Sequence, residues 1–432
     1  MKTIALKCIE QAAKRAPLVP EFHHALATLH DETGDYNGVL ARAMTAASLN
    51  PQDPRVMQTV GAALSRLGKT QVAEAWYTRS LCLDPHNKDV WFGYSTLALQ
   101  RGDYETGFTT YEARRRSRHD ERLLACAPLW DGKELDGKTG FQGEAPKILV
   151  WTEQGYGDAI QNIRYAPLVS RKGARVIVLC PPALERLFKT LDGVHVVTSL
   201  RQVGNINYQI SVMCLPGRFK TTIETIPAAP YLSAPLLSDI RLDSGRKFAS
   251  GGSLKAGLVW SGNVDTVHER SRAVRLEYLL PLIMGAGDID WYSLQVGPPA
   301  HEIKRLGLSD VIHDLSPLLH DFADTASAIS QLDLVVTVDT AVAHLAGALG
   351  KPVWIMLPYA ADWRWMQNRA DSPWYPTARL FRQPWPGNWI APVMEVREAL
   401  SRLVEDRLGA ISSEARPSPE ASPSVQALPC AL

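Results

Sequence analysis

The chain has 432 residues, with 46 Lys plus Arg against 45 Asp plus Glu and 46% hydrophobic residues. This length predicts two or three domains, each able to bury a core. A net charge of +1 excludes a generally basic nucleic-acid binder and a protein held to anionic membrane by charge alone. Lys2, Lys7, Glu10, Lys14 and Arg15 interrupt what would be a signal peptide's apolar region, and no apolar run reaches the ~18 residues of a membrane span. A cytoplasmic protein is expected, with a peripheral position at the inner membrane as the alternative. The six cysteines, at 8, 82, 126, 180, 214 and 430, form no CxxC pair and read as reduced thiols; no metal site and no cofactor are expected.

The first quarter is periodic. Pro17, Pro51 and Pro85 are 34 residues apart, and so are Gly34, Gly68 and Gly102. The spacing places each Gly in a helix-to-helix turn and each Pro just after a second helix, where a missing N–H does no harm. With Gly61, Ala73, Tyr77 and Pro85 in the second full unit and Trp91 and Tyr111 in the third, the region resembles the tetratricopeptide repeat. It spans residues 1–118, as a partial repeat at 1–19 and full units from about 20, 54 and 88. The lone first helix either caps the stack or marks a start of the gene further upstream. Stacked helical pairs form a solenoid whose groove suits a peptide or partner protein; the alternative is a buttress for the neighbouring domain.

Residues 119–146 read as a linker. From Lys147 short apolar runs alternate with helical stretches, at 147–151, 175–180, 194–198 and 208–213, then at 256–260, 290–296, 332–338 and 352–357. This is the pattern of parallel strands covered by helices on both faces. It predicts a first Rossmann-like half at 147–245 and a second at 246–409, with a ligand cleft between them. The Ser- and Pro-rich stretch 410–432 reads as a disordered tail.

Four segments could carry chemistry. After the first strand, Gly155 and Gly157 let the backbone approach a ligand, and Asp158 in the first helical turn is either a cap or a general base, spacing alone favouring the cap. After the 332–338 run, Thr340 can cap a helix whose free amides hold a diphosphate, with Asp339 and Ala341 beside it and His344 on the same face. Past Trp260, Arg270, Arg272 and Arg275 form either a phosphate fork or a solvated basic loop. The aromatics of 362–365 and 372–376 stack on a base or sugar, or pack in the core. Asp288-Ile289-Asp290 matches a metal-holding DxD but opens a strand, and reads as a turn.

Together, residues 153–165, 257–263, 293–297, 321–358 and 362–365 resemble the ADP-heptose:lipopolysaccharide heptosyltransferase family of glycosyltransferases, in its members that carry tetratricopeptide repeats ahead of the transferase. The resemblance implies a GT-B architecture, two Rossmann-like α/β domains facing across a cleft, here preceded by the α-solenoid, with a final helix returning toward the first domain. It implies an inverting, metal-independent transfer of a sugar from a nucleotide-diphosphate donor to a glycan or protein acceptor. Asp158 takes the place of the general base; Asp339, Thr340, Ala341 and His344 fall on the donor-phosphate motif, and Arg272 on its basic partner, followed by Ala273 where relatives commonly have Ser. Glu153, Gln154, Ser261, Asn263 and Trp363 are further candidates for donor or acceptor contacts. The first half is short for an acceptor domain, so the repeats are candidates for acceptor or partner binding. The competing reading is a non-catalytic scaffold that keeps the transferase fold.

Overall fold

The computed structural model describes residues 2–414 apart from 115–116, 136–139, 141–143, 236–239, 243–252, 263–270 and 286–287. The chain begins with α1 (Lys2–Arg15) and three antiparallel helical pairs: α2 (Pro20–Asp31) with α3 (Tyr36–Leu49), α4 (Pro54–Arg66) with α5 (Thr70–Leu83), and α6 (Lys88–Gln100) with α7 (Tyr104–Thr110). Gly34, Gly68 and Gly102 make the three reversals at φ 77°, 71° and 89°, a left-handed conformation that costs glycine no Cβ clash. Side chains of Asp35, Asp53, Asn87 and Asp103 accept from free amides at the following helix starts. Apolar residues at helical spacing, among them Val39, Val60, Ala73, Tyr77 and Leu97, close a core of their own. This is a helical repeat of the tetratricopeptide kind.

The residues expected as linker do more than connect. Ser117 and Asp120 form a capping box that starts α8 (Arg118–Ala125), whose Leu123 packs with Leu149 and Trp151, and the Trp130 amide donates to the Gln209 carbonyl at 3.1 Å. This segment lies against the first sheet. That sheet is parallel, with β1 (Lys147–Trp151), β2 (Arg175–Leu179), β3 (Val194–Val197) and β4 (Tyr208–Ser211) in the order β3-β2-β1-β4.

The second sheet is also parallel, with β5 (Leu254–Val259), β6 (Ile289–Ser293), β7 (Ile312–Asp314), β8 (Leu334–Val338), β9 (Val353–Leu357) and β10 (Ala378–Arg382) ordered β10-β9-β8-β5-β6-β7. Read from the other edge this is the 3-2-1-4-5-6 order of a doubly wound sheet. The periodicity misses β7, which has three residues, and β10, where Arg379 and Arg382 break the apolar run. Asp290 is a buried strand residue of β6 that accepts from the Ser253 hydroxyl, not part of a turn. The last helix, Ile390–Glu414, packs Val393, Val396, Leu400 and Val404 on the second half rather than returning to the first. It also runs past residue 410, so the helix takes the start of the expected tail; 415–432 lie outside the described residues. Among the described residues no helix is long and apolar enough to cross a membrane.

The repeats share a core with both halves. Tyr104 lies 5.8 Å from Trp374 and Phe108 5.9 Å from Trp363, ring centre to ring centre, and Gln100 Nε2 donates to the Ala361 carbonyl at 3.2 Å. Leu99 and Tyr111 join the same buried cluster as Ile148 and Val150 of β1. Burial of this many aromatic faces fixes the last repeat against the sheets.

Candidate active site

In each sheet the strand order reverses beside one strand, β1 in the first half and β5 next to β8 in the second, and ligands bind outside the carboxyl ends at such points. The two points face each other across a cleft of about 1240 Å³. Glu153, Gln154, Gly155, Gly157 and Asp158 line it from the turn after β1; Asp339, Thr340, Ala341 and His344 from the turn after β8; Ser261, Arg272 and Trp363 complete the set. Residues 206 positions apart in sequence, Asp158 and Arg364, thus meet in one cavity. Asn263 lies outside the described residues.

Asp158 sits in α9 (Tyr156–Asn162), where its Oδ2 accepts from the Gly155 amide at 2.8 Å and completes the helix start. The cap expected from spacing is therefore present. Its Oδ1 accepts from Arg364 Nη2 at 2.5 Å. Arg364 is buried and fully committed, donating also to Gln161 Oε1 at 2.5 Å and Asp362 Oδ1 at 2.8 Å, with its guanidinium 4.3 Å above the Trp363 ring. Burial by itself would raise the Asp362 carboxyl, but Arg364 outweighs that and holds it below the usual carboxylate range.

Gly157 lines the cleft and also has a packing role that the sequence does not announce. A Cβ there would stand 2.7 Å from His344 Cδ2, so glycine lets α9 approach the helix Ala341–Ala348 across the cleft. Thr340 occupies the N-cap position of that helix, yet its side chain makes no cap bond and instead meets Thr337 Oγ1 at 3.1 Å. The cap expected of the Thr340 hydroxyl is absent; the backbone at this start remains turned to the cleft.

His344 differs most from expectation. Its Nδ1 is 2.9 Å from the Tyr375 hydroxyl and its ring stacks on Trp365 at 5.2 Å. Burial, then Arg364, Arg164 and Arg272, push its imidazole down to about 3. With these neighbours alone around it, the imidazole is neutral at pH 7. Among the described residues, the positive charge in the cleft comes from Arg272, whose Nη1 lies 3.3 Å from Asp339 Oδ2, and from Arg364. Burial raises the Asp339 carboxyl against the pull of Arg272.

Glu153 is buried in a network. Arg114 Nε donates to Glu153 Oε2 at 3.0 Å while Arg114 Nη2 and the Ser211 hydroxyl donate to Oε1, and Arg114 Nη1 donates to the Tyr111 carbonyl at 3.1 Å. Gln154, at φ 62°, accepts from the Tyr111 hydroxyl at 3.3 Å. Trp363 is enclosed by Phe108, Tyr111 and Trp374, so its ring is core and not a free stacking platform. In the second half, Gln295 Oε1 accepts from the Trp260 and Ser261 amides at 3.1 and 2.9 Å and pins the turn after β5.

No family model matches the chain. The chain is similar to protein FlbA of Caulobacter vibrioides (strain ATCC 19089 / CIP 103742 / CB 15), 23% identical over 428 residues that cover 92% of this chain and 69% of FlbA. That match runs through the repeats and both sheets. Among solved structures the chain is similar to MamA, 16% identical with a TM-score of 0.24 over 25% of this chain and 64% of MamA, and so spans less than two thirds of it. It is also similar to the TPR2B domain of yeast Sti1, solved as a complex with pHsp70, 18% identical with a TM-score of 0.21 over 22% of this chain and 75% of that one.

Several residues of the cleft escape sequence reasoning. Arg364 and Asp362 lie in the 362–365 segment, where the tryptophans draw attention and the charges carry the contacts. Arg114, buried behind the cleft wall on Glu153, heads an Arg-Arg-Arg run that in sequence resembles an exposed basic patch. Phe92, Thr96 and Tyr111 of the last repeat also line the cleft, a position no periodicity encodes.

Proposed function

We propose that the protein is an inverting glycosyltransferase of GT-B type that moves a sugar from a nucleotide-diphosphate donor to an acceptor hydroxyl. The observation that carries this reading is the convergence of Asp158, in the first turn of the helix after β1, with the helix start after β8 and with Arg272 across one cleft. The resemblance noted in the sequence supplies the reaction class and implies that no metal is needed.

In this reading the donor diphosphate lies at the Ala341–Ala348 helix start, where unpaired amides and the dipole favour negative charge. Arg272 adds a charged donor, and neutral His344 adds a hydrogen bond at most. Asp158 accepts the proton of the acceptor hydroxyl through a lone pair that Gly155 and Arg364 leave open. Charge that grows on the leaving diphosphate is met by donors already in place, which costs little reorganisation in the reaction. The test is a thermal-shift titration of the full chain with UDP-, GDP- and ADP-sugars, followed by donor turnover. Stabilisation by one of them, and turnover abolished by Asp158→Ala, is the expected result; no stabilisation by any would overturn the reading.

The Asp158–Arg364 pair is the one feature that favours the alternative, a scaffold retaining the fold, since it occupies the carboxylate meant to act as base. A scaffold would bind partners through the repeats and show no nucleotide-dependent stabilisation.

A further inference from the structure

We propose that Tyr111, the last packing tyrosine of the repeats, is a positioning residue for Asp158; this inference rests on the transferase reading above. Tyr111 follows Tyr77 by the 34-residue period. In the second unit the Tyr77 ring is clasped by Gly61 of its own repeat and Gly93 of the next, since an added Cβ would stand 2.7 Å and 2.6 Å from its ring carbons. After the third unit the chain enters α8 and lies against the first sheet, so a different surface meets the equivalent tyrosine. That surface is the turn after β1 on one side and Trp363 on the other.

Tyr111 therefore touches both supports of the Asp158 carboxylate. On the first side its hydroxyl donates to Gln154 Oε1 at 3.3 Å, and the next residue, Gly155, donates its amide to Asp158 Oδ2 at 2.8 Å. On the second side its ring centre is 6.3 Å from that of Trp363, and Arg364 lies 4.3 Å over the Trp363 ring while donating to Asp158 Oδ1 at 2.5 Å. One buried side chain of the repeats thus backs both oxygens of the carboxylate, each through one intermediate.

Gln154 is where the turn can yield. Its neighbour Glu153 is fixed by Arg114 and Ser211. Gln154 itself is exposed and stands at φ 62°, a left-handed conformation that a residue with a Cβ enters at a cost. The bond from Tyr111 ties its side chain down in that conformation. Without the bond, relaxation of Gln154 toward negative φ carries the Gly155 amide away from Oδ2, and the carboxylate loses the direction in which it meets an acceptor hydroxyl. The last repeat is in this way part of the reacting centre through its hold on Asp158.

The experiment compares the full chain with Tyr111→Phe, Gln154→Gly and the double variant, using whichever of the UDP-, GDP- and ADP-sugars stabilises the protein. Tyr111→Phe keeps the ring and removes the hydroxyl. It is expected to lower kcat for donor turnover about fivefold, the effect of one hydrogen bond, with the donor KM and the urea midpoint as in wild type. Glycine adopts the φ of residue 154 without strain, so the double variant should turn over as Gln154→Gly does alone. Hydrogen exchange in Tyr111→Phe should quicken across residues 153–158 and stay unchanged across 104–110. An unchanged kcat, an equal loss in the Gln154→Gly background, or a raised donor KM at wild-type kcat overturns the positioning role while the transferase reading stands. So does wild-type exchange across 153–158, whether or not a bound donor turns over. Stabilisation by none of the three sugars overturns the transferase reading and this proposal with it.

Discussion

Asp158 and Arg364 are 206 positions apart and meet at 2.5 Å, one at the first turn of α9 and the other just beyond β9. The contact joins the two halves across the cleft that both residues line. Because Arg364 also holds Asp362 and Gln161, it fixes the direction of the Asp158 carboxylate rather than merely neutralising it. A carboxylate so oriented has one face committed and one face toward the cleft.

Replacing Asp158 by Asn keeps the size of the side chain and removes the proton acceptor. Turnover is expected to fall by ~10²- to 10⁴-fold, the range usual for a positioned general base. Donor affinity, read by calorimetry, should change little. Turnover within a factor of two of wild type would remove Asp158 from the chemistry.

Arg272 and His344 should separate in donor binding. Arg272→Ala is expected to cost about 1.5 to 3 kcal/mol of donor affinity, as the loss of a hydrogen bond from a charged group. His344→Gln should cost less, because the imidazole is neutral, and donor affinity should show no step near pH 6.5 from this residue. Isothermal titration across pH 5.5 to 8 checks both.

The Arg114–Glu153 pair is buried on both sides, each side chain 1% exposed. Arg114→Ala leaves an uncompensated carboxylate in the core and is expected to cost about 3 to 5 kcal/mol in urea unfolding. Glu153→Gln combined with Arg114→Met should recover part of that. A loss in the double variant equal to the sum of the losses in Glu153→Gln and Arg114→Met alone would show that the residues do not act as a pair.

His344 makes stability fall in acid. Its folded-state imidazole lies near 3 against an ordinary 6.5, so above pH 6.5 it is neutral folded or unfolded and has no effect on the balance. Below pH 6.5 the unfolded chain takes up a proton that the fold refuses, and stability declines down to about pH 3. At pH 5 the loss is on the order of 2 kcal/mol. His344→Gln should flatten this slope by close to one proton; an unchanged slope would mean that the imidazole is protonated in the fold.

Much of the site was legible in the chain itself. The turn after β1 and the Asp339-Thr340 turn after β8 announce themselves because glycine, a small polar cap and β-branched strands are local signals. The charge state of His344, the packing role of Gly157 and the loss of the Thr340 cap were not legible. Each depends on a neighbour distant in sequence: Arg364 and Tyr375 for His344, the helix Ala341–Ala348 for Gly157, and β8 for Thr340.

The sequence by itself determined the helical repeat, the succession of parallel strands and the residues that end them, since periods of 34, 3.6 and 2 are properties of neighbouring residues. Tertiary structure decided the rest. Only the docking of the last repeat on both sheets turns Phe92, Thr96 and Tyr111 into a wall of the cleft, and only burial makes Arg364 the partner of Asp158 and leaves His344 uncharged. Desolvation and charge pairing are set by what surrounds a group in space, and a linear pattern carries no record of that.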